Sequence, residues 1–210
     1  MELSSKQIEQ FNKDGYIIFP ELFTSDEIDI FKNEVDRVSK IRSEMVVREG
    51  EDEAVKIMFQ LHEENVETAS PPFRTAARSP RILRTAQQCL GDEELYLHHS
   101  KLNMKSAIEG SAWPWHQDFH SWHLDGIKQP DMVTVTVVLT EASPINGCMY
   151  VLPGSHKQGR SDPRWDDSTA YKLWVARTPD MKEYMKKFPA PVPITGGAGT
   201  TAIFHCNLLH

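Results

Sequence analysis

An α+β fold with an antiparallel sandwich or barrel as its main body is predicted by three features of the sequence. Helix signals crowd residues 1–93, short strand-like runs separated by turn residues fill 94–210, and no internal repeat or low-complexity segment interrupts the chain. At 210 residues the chain is long enough for one domain with a sizeable core.

The elements follow in order. Ser4 with Gln7 forms a capping-box pattern opening a short helix that stops near Gly15. Tyr16-Ile-Ile-Phe19 is an apolar run between turn signals and reads as a strand. Thr24-Ser-Asp-Glu27 is a second capping box, and the helix after it places Ile28, Phe31, Val35 and Val38 on one face. Ser79-Pro80 opens a helix with proline at its first position and Gly91 as its stop. From Glu94 the pattern changes. Residues 95–105 read as an extended strand, and Val133–Thr140 is β-branched, with Thr134 and Thr136 on one face. Asn146-Gly147 is a turn signal expected to join that strand to 148–152. Pro153-Gly-Ser-His156 reads as a sharp structural turn, and 157–175, with Trp165 and Trp174, as a surface excursion of the kind that serves as a lid. A helix from Thr178-Pro179 to about Phe188 and a last strand over 200–206 complete the series. Gly196-Gly-Ala-Gly199 precedes a strand, has no phosphate-binding Lys-Ser/Thr after it, and is not a P-loop.

Composition excludes several function classes. Forty per cent hydrophobic and 25% charged residues describe an ordinary globular chain. A net charge of −7 argues against a nucleic-acid or anionic-membrane partner, both of which reward clustered Lys and Arg. No apolar run approaches a membrane span, and the N-terminus lacks the basic-then-apolar order of a signal peptide. Cys89, Cys148 and Cys206 are widely spaced and odd in number, the pattern of thiols in a reducing, cytoplasmic compartment.

The densest chemistry lies in WPWHQDFHSWH, residues 113–123. Taken as a strand, His116-Gln-Asp118 directs an imidazole and a carboxylate to one face and Gln117 to the other. A further histidine from a distant strand would complete a facial triad with open positions, the donor set of non-haem Fe(II) oxygenases. Alone, an H-x-D tripeptide more often describes a hydrogen-bonded surface pair.

Several blocks in order supply the context. LNMK (102–105), WHQDFHSWHLDG (115–126), VTVTVVLTEASPINGCMYVLPGSHKQG (133–159) and GGAGTTAIFHCNLLH (196–210) resemble the phytanoyl-CoA dioxygenase family of Fe(II)/2-oxoglutarate oxygenases, within which they are most similar to members that hydroxylate ectoine and free amino acids. The resemblance implies a double-stranded β-helix (jelly-roll, cupin-like) core over 94–210, a mainly helical support over 1–93, and one oxygenase domain. It implies Fe(II) held by His116, Asp118 and His210, with His205 the competing distal histidine. It also implies 2-oxoglutarate as co-substrate and O2 as oxidant. A carboxylate at 118 points to hydroxylation rather than chlorination, because related halogenases carry a small residue there. Asn103, Thr134 and Trp113 are expected along the co-substrate pocket, with Lys101 or Lys105 as its charge partner. Trp122 and His120 fall on the possible substrate side, although core packing is an equal reading of Trp122. His123 is expected to be structural. The strands that close such a barrel, and the arginine that anchors 2-oxoglutarate in the family, would follow His210. The expected substrate is a free amino acid or ectoine-like solute. A larger natural product, an acyl thioester, a non-catalytic cupin-like binding protein and a zinc hydrolase remain as alternatives.

Overall fold

The computed structural model describes residues 1–106 and 110–210. Local signals set the first elements. Helix α1 (Ser5–Asp14) starts where Ser4 and Gln7 exchange side-chain and backbone hydrogen bonds and ends at Gly15, φ 85°. Strand β1 (Tyr16–Phe19) follows, then α2 (Ser25–Ser39), whose capping box joins Thr24 and Glu27. Ile28, Phe31, Val35 and Val38 of α2 are all buried, as the helical spacing predicts. A hairpin of β2 (Val46–Glu49) and β3 (Ala54–Phe59), which the sequence pattern did not announce, precedes α3 (Pro71–Ala77) and α4 (Pro80–Leu90). Gly91 caps α4 in the left-handed region. The second half contains β4 (Lys101–Asn103), α5 (Asp118–Leu124), β5 (Val133–Val137), β6 (Tyr150–Val151), β7 (Pro163–Asp166), β8 (Leu173–Ala176), α6 (Thr178–Lys187), β9 (Val192–Pro193) and β10 (Thr201–His205).

Every pairing is antiparallel, in sheets ordered β1-β10-β5, β2-β3-β4, β6-β9 and β7-β8. Strand β10 is the keystone. It pairs with β1 (Tyr16 opposite Phe204) on one side and β5 (Phe204 opposite Thr134) on the other. Alternation sends Ala202 and Phe204 into a cluster with Tyr16, Val151, Ile194 and Leu208, while Ile203 packs with Phe11, Ile17, Phe19 and Leu3. One face therefore lines the barrel interior and the other meets the helical support, so the centre of β10, Ala202 to Phe204, is apolar on both faces. Each such side chain contributes about 1.5–3 kcal/mol by leaving water. Gly199 precedes β10 at φ 94°, and a Cβ there would stand 2.3 Å from the Phe23 carbonyl oxygen. Its own carbonyl accepts from Leu22 N and Phe23 N, which ties the start of β10 to the N-terminal segment.

Three expectations change. The strand read over 95–105 forms a ladder only at Lys101–Asn103, where β3 offers a partner. Asn146-Gly147 makes its turn, closed by Ser143 N donating to Asn146 Oδ1, but does not join a hairpin. Strand β5 pairs with β10 and β6 with β9, because turn chemistry is local whereas burial chooses the partner strand. The excursion over 157–175 contains the β7–β8 hairpin, with Trp165 opposite Trp174 and their rings edge to face at 5.2 Å. The strand read over Tyr16–Phe19 is present as β1 and joins the main sheet beside β10.

Candidate metal centre

Local backbone pairing builds the site. His116 N donates to His210 O (2.9 Å) and His210 N to His116 O (3.0 Å), the double exchange of a hydrogen-bonded antiparallel pair. Residues so paired project to the same face, and the two imidazoles lie with ring centroids 4.2 Å apart. His116-Gln-Asp118 is not a strand pair. Gln117 is extended (φ −115°, ψ 133°) and Asp118 is the first residue of α5. The helical turn, rather than strand alternation, swings the carboxylate back towards the histidines, with Oδ1 3.9 Å from both His116 Nε2 and His210 Nε2. Among the described residues, these three form the one group of His, Cys, Asp or Glu whose donor atoms converge, all within 4.8 Å of one another.

The surroundings set each donor for a metal. His116 Nδ1 bonds to Pro114 O (2.9 Å) and His210 Nδ1 to Leu208 O (3.0 Å). A carbonyl only accepts, so each Nδ1 carries the proton and each Nε2 presents its lone pair to the centre. Thr134 Oγ1 donates to Asp118 Oδ2 at 2.6 Å, leaving Oδ1 to face the imidazoles. Burial lowers the His116 pKa well below its usual value, helped by the neighbouring His210; burial also lowers that of His210. For Asp118, burial pushes the pKa up, but His210, Lys101, His116 and the Thr134 hydroxyl outweigh it and hold the carboxyl at about 2. The set is therefore one carboxylate and two neutral imidazoles near neutral pH, which matches a divalent metal at a facial triad.

The other candidate residues fall in different places. Lys101 on β4 has its Nζ 5.7 Å from the Trp113 ring centre, and its charge acts on Asp118, His116 and His210 alike. Asn103, two residues on, shares its strand face and is exposed. The Trp113 indole Nε1 is buried, with no hydrogen-bond partner among the described residues. Thr134 reaches Asp118 directly, so its geometry orients the carboxylate. Lys105 turns away and donates to Gly147 O. His205 packs against Phe11 and His156, and its Nδ1 accepts from Asn207 N (3.0 Å). The chain turns at 206–207, so strand alternation does not decide between His205 and His210; the backbone pairing with His116 does. His123 bonds to Ile127 O (3.1 Å), a structural role. Trp122 meets His98 edge to face at 5.6 Å.

His120 is corrected. It is fully buried, with Nε2 2.9 Å from Ser161 Oγ, and Nδ1 faces Gln117 N. Its position on the first turn of α5 directs it into the protein interior, where Ser161 engages it, instead of an open face. Gln117, which alternation assigned to an idle face, is the hub of that region. Its amide donates to Gly159 O (2.9 Å) and Asn207 O (2.6 Å) and accepts from Ser161 N and Oγ. Burial lowers the pKa of His120 to about 4, and does the same for His99 and His205. These groups bind protons more readily when unfolded, so stability is complete above pH 6.5 and falls as the pH drops towards 4. His120 alone accounts for roughly 3 kcal/mol of that loss. Denaturant titrations at pH 7 and pH 4.5 should show it, and His120→Asn should make the dependence shallower, with His99 and His205 still contributing.

The antiparallel frame with its inward triad defines the class first. The fold is that of the cupin-like iron/2-oxoglutarate oxygenases: EctD from S. alaskensis with 2-oxoglutarate and 5-hydroxyectoine superposes at TM-score 0.83, 29% identical, over 99% of this chain and 69% of that one. The same protein with bound Fe superposes at 0.82. The phytanoyl-CoA dioxygenase (PhyH) family model matches residues 11–210. The ectoine dioxygenase of Bordetella bronchiseptica is 31% identical over 219 residues, 99% of this chain and 69% of its own length. This chain belongs to the phytanoyl-CoA dioxygenase (PhyH) family. The carbocyclase SnoK, 20% identical at TM-score 0.71, shares the fold.

Proposed function

We propose that the chain is an Fe(II)- and 2-oxoglutarate-dependent dioxygenase hydroxylating a small molecule, either ectoine or a similar solute or a free amino acid, with His116, Asp118 and His210 as the iron ligands. The observation that carries this reading is the convergence of one ionised carboxylate and two Nε2 lone pairs, each oriented by its own hydrogen bond. Bound iron would supply the O2 chemistry that couples decarboxylation of 2-oxoglutarate to hydroxylation. The protein's residues bind and orient. Lys101 offers a cation beside the triad for an incoming carboxylate, Trp113 flanks it, and Asn103 shares its strand face. Thr134 keeps one Asp118 oxygen engaged, so the carboxylate presents the other to the metal. The names of relatives at about 30% identity support the substrate class. The free thiols Cys89, Cys148 and Cys206 fit a cytoplasmic compartment.

The test is succinate release from 2-oxoglutarate under air, with Fe(II), against ectoine, free amino acids, larger natural-product scaffolds and acyl thioesters. Succinate should appear with a member of the first two groups and vanish with chelator or with zinc in place of iron. Metal-loaded protein that binds no 2-oxoglutarate in an anaerobic titration would overturn the reading.

A further inference from the structure

The β7–β8 hairpin sets one side chain against Trp113 and Lys101. Tyr171, just before β8, has its ring 5.5 Å from that of Trp113 and 5.8 Å from that of Phe59 on β3. Lys101 Nζ lies 5.8 Å from the Tyr171 ring centre as well as 5.7 Å from that of Trp113. The ammonium thus lies to one side of the adjoining rings, over both of them and within the range of cation–π attraction. Among the described residues, no carboxylate forms an ion pair with Lys101. Aromatic faces stabilise a cation without cancelling its charge, so the ammonium remains available to an incoming anion. Phe59 extends the wall to His99 at 5.6 Å, whose burial keeps it neutral, and Lys56, 5.0 Å from the Trp113 ring, is paired with Glu49, so among the described residues Lys101 is the cation of this wall without an ion pair.

The position of Tyr171 is fixed from both sides. Asp166 accepts from Ser168 N (3.0 Å) and pairs with Arg164, and Thr169 Oγ1 donates to Tyr171 O (2.8 Å). At the base, Ala176 N donates to Trp115 O (2.8 Å), which docks β8 on the residue before His116. Strand β8 is therefore docked one residue from His116.

We propose that Tyr171 is a specificity-determining residue: with Trp113 and Phe59 it forms an aromatic wall that holds Lys101 for the carboxylate of a small zwitterionic substrate and limits the size of what enters. This rests on the oxygenase reading above and names the substrate class it admits.

The test titrates the Mn(II)- and 2-oxoglutarate-loaded protein by calorimetry with ectoine and a panel of free amino acids, each beside its carboxamide. Wild type should bind at least one acid tenfold or more tighter than its amide. Tyr171→Ala should reduce that preference below threefold, and Tyr171→Phe should keep it, because the ring carries the effect. The affinity for 2-oxoglutarate should stay within threefold in both variants. An unchanged acid preference in Tyr171→Ala overturns the proposal, as does a wild type that binds none of the panel. A parallel loss of 2-oxoglutarate affinity assigns the wall to the co-substrate and overturns it too. Failure of the wild type to bind 2-oxoglutarate at all strikes the oxygenase reading itself and this inference with it.

Discussion

His116→Ala and His210→Ala are each expected to abolish iron retention and turnover, a loss larger than the roughly 10–100-fold that removal of an outer partner costs. Each substitution leaves two donors on a centre that needs three, and the missing donor sits on one side of a reciprocal backbone pair that alanine can still make. The fold should survive, so the loss is chemical. His123→Ala and His205→Ala should retain iron after dialysis, since His123 bonds to Ile127 O and His205 lies against Phe11 and His156. Thr134→Val falls between, losing about 10–100-fold because Asp118 keeps its place without its hydroxyl donor. Bound metal after dialysis and succinate release together check the series. Iron retained by His210→Ala but lost from His205→Ala would move the distal ligand.

Lys56→Met is expected to cost about 3–5 kcal/mol of stability. Lys56 is 1% exposed on β3, its ammonium donates to Glu49 Oε2 at 3.0 Å and to Ser111, and Glu49 is itself 10% exposed. The pair anchors Ser111, two residues before Trp113, and Lys56 Nζ lies 5.0 Å from the Trp113 ring centre. Removing the lysine leaves a buried carboxylate with, among the described residues, only Ser111 to satisfy it. For a chain of this size, the midpoint of thermal unfolding should fall by roughly 10 °C or more. Lys56→Met with Glu49→Leu should recover much of the loss, because the unpaired charge goes with it. A single variant that melts like wild type would show that the pair is not structural.

Most of the N-terminal half was legible because its signals are local. Ser4, Thr24, Pro80, Gly15 and Gly91 act on their own turns, and the apolar spacing of α2 needs only one core to face. Strand β10 was legible too, as an apolar run buried on both sides. Its partners were not, since Asn146-Gly147 suggests a neighbour that burial overrules. The hub role of Gln117 and the inward turn of His120 were hidden because both follow from α5 beginning at Asp118, and seven residues of helix carry too little periodicity to announce themselves. Tyr171 had no motif at all. Its place depends on the cross-strand pairing of Trp165 with Trp174 and on β8 docking beside Trp115.

By itself the sequence determined the class of chemistry and the donors proposed for it, because His116, Asp118 and His210 recur within ordered blocks that resemble one family, and residue type dictates what can bind a metal. Only the tertiary structure decided how they meet: a reciprocal backbone pair sets the two imidazoles side by side, and a helix start turns the carboxylate to them. The physical reason is distance along the chain. The two histidines stand 94 residues apart, and their geometry is fixed by hydrogen bonds and burial contributed by strands between them.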